Sequence, residues 1–211
     1  MSWQKIAVIA IILISLALGI FFYDRLPEEM ASHWNASGEV NGYTEKALGT
    51  FLIPGLLAFF AILYYLVPKI DPLGKNIDKF REHYENFFVI ISLFLLMVYA
   101  QVLLWNTGTM ISPNILMPVG IAFLFFYIGI LLENAKMNWF VGIRTPWTLS
   151  SEKVWDKTHK LGGKLFKVAA AFSVIGIFAG NFAVWFILIP VLLVSAYLIL
   201  YSYLEFRKLT K

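Results

Sequence analysis

The sequence predicts an all-α polytopic integral membrane protein with six transmembrane helices and both termini cytoplasmic. Three observations predict this class: six long apolar stretches, five connections between them, and Lys and Arg residues crowded into every second connection. A helix needs about 20 apolar residues to cross a bilayer, and loops rich in Lys and Arg stay on the cytoplasmic side. The chain is 60% hydrophobic and 14% charged, which leaves too few polar residues to cover a soluble domain of 211 residues.

The six apolar stretches define the expected spans. They cover residues 3–23, 48–67, 87–105, 115–132, 165–179 and 182–204. The first is too long for the apolar part of a secretory signal and lacks a convincing cleavage site before Asp24, so we expect a retained helix. Only Gly180 and Asn181 separate the last two spans, which predicts a tight antiparallel helix pair.

The charge pattern sets the predicted orientation in the cell membrane. The chain has 17 Lys and Arg residues. All of them except Arg25 and Lys46 lie near the two termini, in the second connection (residues 68–86), or in or just after the fourth connection (residues 133–164). These parts should face the cytoplasm, and the segment 24–47 should lie outside. The net charge of +4 therefore reflects membrane orientation, and we expect no direct contact with nucleic acid.

Two modules follow from this division. Residues 1–86 form a two-helix membrane module with an acidic external loop and a cytoplasmic connection. Residues 87–211 form a four-helix module with a basic cytoplasmic loop. Within that loop, Ser150 or Ser151 can cap a helix on which Lys residues recur at helical spacing, which predicts a basic amphipathic helix lying on the inner leaflet.

Several classes of function are disfavoured by what the sequence lacks. No cysteine is present, which excludes disulfides and thiolate metal sites. No span carries an ionisable residue near its middle, which argues against a proton- or ion-coupled pump. There is no phosphate loop, dinucleotide fingerprint, zinc-protease motif or nucleophile with a matching base. We predict no catalytic residues, no cofactor and no metal ion.

The external segment 24–47 is the first candidate binding region. Its five carboxylates outweigh Arg25 and Lys46 and give a net charge of −3, which favours approach of a cationic peptide. The alternative is that Trp34 and Tyr43 only anchor the segment at the membrane interface. The candidate binding residues here are His33, Trp34, Asn35, Gly38, Gly42 and Tyr43.

The cytoplasmic segment 138–159 is the second candidate region. Aromatic residues flank a Gly, a Pro and a lone Arg, which is typical either of an interfacial loop or of a structured loop that presents the Arg to a partner. In the first case Arg144 would bind lipid phosphates or helix C-terminal carbonyls. The candidate binding residues are Asn138, Trp139, Gly142, Arg144, Pro146, Trp147, Trp155 and His159.

These residues also carry a family resemblance. Residues 138–149, with Trp155 and His159, resemble the signature of the SdpI-type immunity proteins of bacteria and archaea. The external residues from Leu26-Pro27 to Gly42-Tyr43, with Asp71-Pro72, are similar to the uncharacterised membrane module that often precedes that signature. The resemblance implies six membrane helices. The founding member of that family protects the producing cell from a secreted peptide toxin and also holds a transcriptional repressor at the membrane.

Three functions are compatible with these observations. The first is an immunity protein that binds a cationic peptide toxin outside the cell. The second is a scaffold or sensor that recruits a cytosolic transcriptional regulator to its basic inner face, and both can coexist in one molecule. The third is a membrane enzyme or transporter for a lipid or small solute, with Arg144 and His159 as its phosphate-binding or acid–base groups.

Overall fold

The computed structural model describes residues 2–209 and contains six long helices. Within that range, six helices are long and apolar enough to cross a membrane, which confirms an all-α, multi-pass membrane protein. The long helices are α1 Trp3–Phe22, α2 Lys46–Ile70, α4 Arg81–Asn106, α5 Pro113–Asn134, α7 Glu152–Gly176 and α8 Trp185–Arg207. The shorter elements are strands β1 Glu29–Trp34 and β2 Val40–Glu45 and helices α3 Gly74–Asp78 and α6 Pro146–Leu149.

The long helices expose large apolar side chains over much of their surface. On α8, for example, Leu192 and Leu193 are 64% and 66% exposed. A soluble protein would hide such residues, whereas a bilayer covers them with acyl chains. The helical state follows because every backbone N–H and C=O in the hydrocarbon must find a partner within the protein.

The helices pack mainly in chain order. Helix α1 contacts α2 and α4, α4 contacts α5, α5 contacts α7, and α7 contacts α8. Helices α5 and α7 approach each other closely, because a Cβ added to Gly129 would come within 2.6 Å of the carbonyl oxygen of Gly163. Small residues at such crossings let two membrane helices touch backbone to backbone.

The two ends of this bundle differ in structure. At one end, which we call the hairpin end, β1 and β2 form an antiparallel pair that stands between α1 and α2. At the other, which we call the loop end, residues 71–80 and 135–151 lie together and contain α3 and α6. Helix α2 joins the two ends over 25 residues, or about 37 Å at 1.5 Å per residue.

Two expectations about the chain need correction. The predicted surface helix and the fifth span are one continuous helix, α7, and Trp155 and Thr158 on it are fully buried against the protein. That face therefore packs against the bundle and not on the leaflet. Residues 24–47, expected to be a loop, contain a β-hairpin, and Ile177–Phe182 adds a 3-10 turn before α8.

Candidate functional site

The turn of the hairpin is built by Asn35. Its side-chain oxygen accepts hydrogen bonds from the backbone N–H groups of Ser37 and Glu39 at 2.9 and 3.0 Å, and its amide donates to the Glu39 carboxylate. Gly38 follows with a φ of 80°, a conformation that glycine adopts without strain. Asn35 and Gly38 therefore shape the turn, which is why turn-forming residues occur here in the sequence.

Trp34 anchors the hairpin to the bundle. Its ring is half-buried and packs edge-on against Trp105 of α4, with 5.4 Å between ring centroids. Nearby, the Asn106 side chain donates to the Ala31 carbonyl and accepts from the Ala31 N–H, at 3.0 and 2.8 Å. These contacts pair the strand with the end of α4 and hold the hairpin on the helices.

The remaining external candidates lie on the two strands. His33 pairs with Gly42 across the hairpin, and a Cβ on Gly42 would come within 2.9 Å of the His33 Cβ. The His33 Nδ1 lies 2.6 Å from the side-chain oxygen of Asn41, and both residues are exposed. Tyr43 is 64% exposed and projects from β2. His33 and Tyr43 are therefore the two external candidates whose side chains a partner can reach most directly.

The hairpin end presents an acidic surface. All five carboxylates of the segment are exposed, namely Asp24, Glu28, Glu29, Glu39 and Glu45. Glu29 and Glu45 lie directly opposite each other in the strand register. Like charges in that position destabilise a hairpin, so this pair costs stability unless a cation lies against it.

At the loop end, Asn138 organises the chain around itself. It is fully buried, its amide donates to the carbonyls of Lys136 and Val141, and its oxygen accepts from the N–H groups of Phe140 and Val141. All four contacts are 2.6–2.9 Å long. Asn138 thus uses its whole hydrogen-bonding capacity to hold the loop in shape and has none left for a partner.

His159 and Trp155 hold the same loop against α7. The rings stack with centroids 3.8 Å apart, and the Trp155 indole N–H donates to the Ala135 carbonyl at 2.8 Å. The His159 Nε2 accepts from the Ile143 N–H at 2.9 Å, and its Nδ1 lies 2.9 Å from the Trp155 carbonyl, to which it must donate. This pair of bonds requires the neutral ring with its proton on Nδ1, since a protonated ring cannot accept from Ile143.

Gly142 makes this contact possible. Its φ is 124°, and a Cβ at this position would lie 2.4 Å from the His159 Nε2. Only glycine fits both the backbone conformation and the space. The spacing between Gly142 and His159 in the sequence therefore reflects a packing contact across the loop.

Residues 144–147 complete the loop. The Arg144 guanidinium donates to the Trp139 carbonyl at 2.8 Å and is otherwise exposed. Thr145 and Thr148 form a capping box around α6, whose first residue is Pro146, a position that suits proline because its missing N–H has no partner there. Trp147 packs on Tyr203 of α8 with 5.1 Å between ring centroids.

Two residues outside the candidate set join the end of α2 and helix α3 to the loop. The buried Asp71 carboxylate accepts from the Leu73 N–H at 2.7 Å and from the Trp139 N–H at 2.9 Å. The Asn76 amide donates to the Met137 carbonyl at 2.8 Å. The Asp71-Pro72 pair was visible in the sequence, but its partner lies 68 residues away and no local pattern connects them.

The structure therefore brings the candidates together as two groups, one at each end of the bundle, and places none of the first group beside the second. In the loop-end group, Asn138, Trp155 and His159 are buried in internal contacts. Each group also includes exposed residues, namely Trp139, Arg144 and Pro146 at the loop end and His33 and Tyr43 at the hairpin end. Among residues 2–209, no three His, Asp or Glu side chains cluster so that they could hold a metal ion.

Comparison with known proteins finds family matches in two separate parts of the chain. Residues 134–203 match the SdpI/YfhL protein family, and residues 10–58 match a domain of unknown function (DUF1648). The chain is 26% identical over 207 residues to the immunity protein SdpI of Bacillus subtilis (strain 168), a similarity that covers 98% of this chain and 97% of that protein. No solved structure matches the chain. The chain is therefore a multi-pass membrane protein that is similar to SdpI over nearly its whole length, and a region that matches DUF1648 precedes a region that matches the SdpI/YfhL family.

Proposed function

We propose that the chain is an immunity protein that protects its cell by binding a secreted cationic peptide at the hairpin end. The observation that carries the proposal is the similarity to an immunity protein over 98% of the chain, which includes the hairpin as well as the loop. The distribution of Lys and Arg predicts that the hairpin end faces the outside, where a secreted peptide arrives.

The electrostatics of the hairpin support a cationic ligand. The segment 24–47 has a net charge of −3, and its carboxylates are exposed. The opposed pair Glu29 and Glu45 is unfavourable in the free protein and becomes favourable when a Lys or Arg lies between the two carboxylates. A cationic peptide would also be concentrated at this surface before it contacts the bilayer.

The side chains best placed to contact the peptide are Tyr43 and His33, which are exposed on adjacent strands. Trp34 contributes mainly by fixing the hairpin on α4, since its ring packs against Trp105. Asn35, Gly38 and Gly42 set the shape of the surface.

The proposal is tested by expressing the chain in sensitive cells and challenging them with two probes. One is the peptide toxin counteracted by the similar Bacillus subtilis protein, and the other is any small secreted cationic peptide encoded beside the gene. Protection is expected, and the double change Glu29→Gln with Glu45→Gln should reduce it without loss of membrane protein. The matched control is Glu82→Gln with Glu152→Gln, which removes two exposed carboxylates at the loop end. Normal insertion with no protection against either probe would contradict the proposal.

A second function is favoured by the charge of the loop end, which we propose faces the cytoplasm. Several Lys side chains are exposed around the rigid loop, namely Lys75, Lys79, Lys136, Lys153, Lys157, Lys160 and Lys164. Such a surface suits an acidic face of a cytosolic transcriptional regulator. Affinity capture with the full chain should recover a cytosolic protein, and replacing Lys153, Lys160 and Lys164 by Gln should abolish its recovery. Lys157 is left in place because it pairs with the buried Glu205. Equal recovery by this variant would reject the scaffold function.

An enzymatic role has less support from the geometry. His159 was the candidate acid–base group, yet both its ring nitrogens are committed to backbone partners and the ring is buried. We therefore assign His159 a role in holding the loop, and propose a binding function in place of catalysis.

A further inference from the structure

Two apolar grooves meet at Arg144. The first, of about 440 Å³, lies between α2 and α4 on one side and α5 and α7 on the other, and residues 140–144 close its end. The second, of about 470 Å³, lies between the loop and α8. Phe166 of α7 lines both and so forms the wall between them. Both volumes are within the range of small-molecule sites, roughly 300–1,000 Å³.

The walls of the first groove are hydrocarbon-like at a depth where acyl chains lie. Phe60, Leu63, Phe87 and Ile128 are among its lining residues. Leu63 lies seven residues before the end of α2, which places it about 10 Å below the loop end at 1.5 Å per residue. The hydrocarbon core of a bilayer is about 30 Å thick, so this depth corresponds to the upper part of an acyl chain.

Arg144 is the charged residue that lines each groove among the described residues. Within residues 2–209 it forms no salt bridge, and its guanidinium donates a hydrogen bond to the Trp139 carbonyl. A guanidinium has five N–H donors in a planar fork that matches phosphate oxygens. The backbone before Arg144 is held in place because Gly142 packs against His159 and the Ile143 N–H donates a hydrogen bond to the His159 Nε2.

We propose that Arg144 and the two grooves form a specific site for one anionic diacyl phospholipid of the surrounding leaflet. The phosphate binds the Arg144 guanidinium, and each groove takes one acyl chain. One cation at the junction of two apolar grooves matches one phosphate joined to two chains. One acyl chain would lie between α2–α4 and α5–α7, and the other between the loop and α8, so that the lipid fills space that the side chains leave open. This site is separate from the peptide-binding surface and does not depend on the immunity function.

The test measures lipid binding to the delipidated full chain in detergent by native mass spectrometry. The probe is phosphatidylglycerol, and inorganic phosphate and glycerol 3-phosphate are added in excess as headgroup competitors. We expect a one-to-one complex that Arg144→Gln weakens about tenfold, the effect of losing one charge-assisted contact. The matched control Lys69→Gln removes an exposed Lys near the end of α2 that lines neither groove, and it should leave binding unchanged.

A second pair of variants tests the chain grooves without altering charge. Leu63→Trp fills the first groove and should displace the lipid, whereas Ile62→Trp changes a neighbouring side chain that is 59% exposed and should not. Three results would overturn the proposal: equal loss of binding in Arg144→Gln and Lys69→Gln, equal binding by Leu63→Trp and Ile62→Trp, or full displacement of the lipid by a soluble headgroup competitor. Melting temperatures of all variants show whether a loss reflects unfolding, and Leu63→Trp decides the question if Arg144→Gln does not fold.

Discussion

The hairpin end and the loop end both contain dense polar and aromatic motifs, yet the two ends use them differently. At the loop end, Asn138 and His159 are buried and every polar atom of their side chains bonds to the backbone. At the hairpin end, His33 and Tyr43 are exposed, and the carboxylates point to solvent. The buried residues of such a motif can therefore hold a loop in shape, while its exposed residues, such as Arg144 at the loop end and Tyr43 at the hairpin end, stay accessible.

The largest effect should come from Gly142→Ala. The new methyl group would meet the His159 Nε2 at 2.4 Å, and the φ of 124° is strained for alanine. Strain and overpacking of this kind cost about 2–4 kcal/mol in the free energy of unfolding. Thermal unfolding in detergent measures it. The control Gly55→Ala lies within α2 with open space around it and should be neutral or slightly stabilising. Equal melting of both variants would show that the loop is not rigid.

Replacing one His at each end by Phe should give the next largest difference in the free energy of unfolding. His159→Phe keeps a ring against Trp155 but leaves the Ile143 N–H without its acceptor, at a cost of about 2 kcal/mol. His33→Phe at the exposed hairpin should change the free energy of unfolding by about 0.5 kcal/mol or less. Chemical unfolding of the two variants measures the difference, and a larger loss for His33→Phe would reverse the comparison.

Asp71→Asn tests the connection between the end of α2 and the loop at Trp139. The substitution removes the charge that strengthens the bonds from Leu73 and Trp139, and can leave one N–H facing an amide donor. We expect a loss of about 1–2 kcal/mol. Protease sensitivity of the loop should rise together with this loss. Asp78→Asn, an exposed carboxylate in α3, is the control and should show neither effect.

Tyr43→Ala should have the smallest effect on stability and a clear effect on protection. Because Tyr43 is 64% exposed, its removal should change the free energy of unfolding by about 0.5 kcal/mol or less. Protection of sensitive cells should fall. By contrast, Trp34→Ala should lower both stability and protection, because Trp34 packs on Trp105. Full protection by stable Tyr43→Ala protein would remove Tyr43 from the proposed binding surface.

Much of the fold could be predicted because it depends on local composition. Long apolar stretches specify membrane helices residue by residue, and the observed α1 and α5 begin and end within two residues of the predicted spans. The hairpin was not predicted from the sequence. The alternation of exposed and half-buried residues from Val40 to Glu45 is visible only in the structure. The hairpin is also held on the bundle by a long-range contact, that of Asn106 with Ala31, which lie 75 residues apart in the chain.

The predicted surface helix shows why periodicity alone misled. Lys153, Lys157, Lys160 and Lys164 do form an exposed stripe, as the spacing predicts. The opposite face, however, carries Trp155 and Thr158 into the bundle and not onto lipid. An apolar face has the same sequence pattern whether it meets a leaflet or another helix, so the pattern could not distinguish the two environments.

The sequence by itself determined the class of the protein and the number of its membrane helices, because the length of each apolar stretch is a local property. The distribution of Lys and Arg among the connections also predicted that the two candidate regions lie at opposite ends. Tertiary structure alone decided which candidate side chains remain accessible. The buried contact of Gly142 with His159 and the link from Asp71 to Trp139 join residues that are far apart in the chain. Only packing in three dimensions brings them together, and that packing distinguishes a residue that supports the loop from one that can meet a partner.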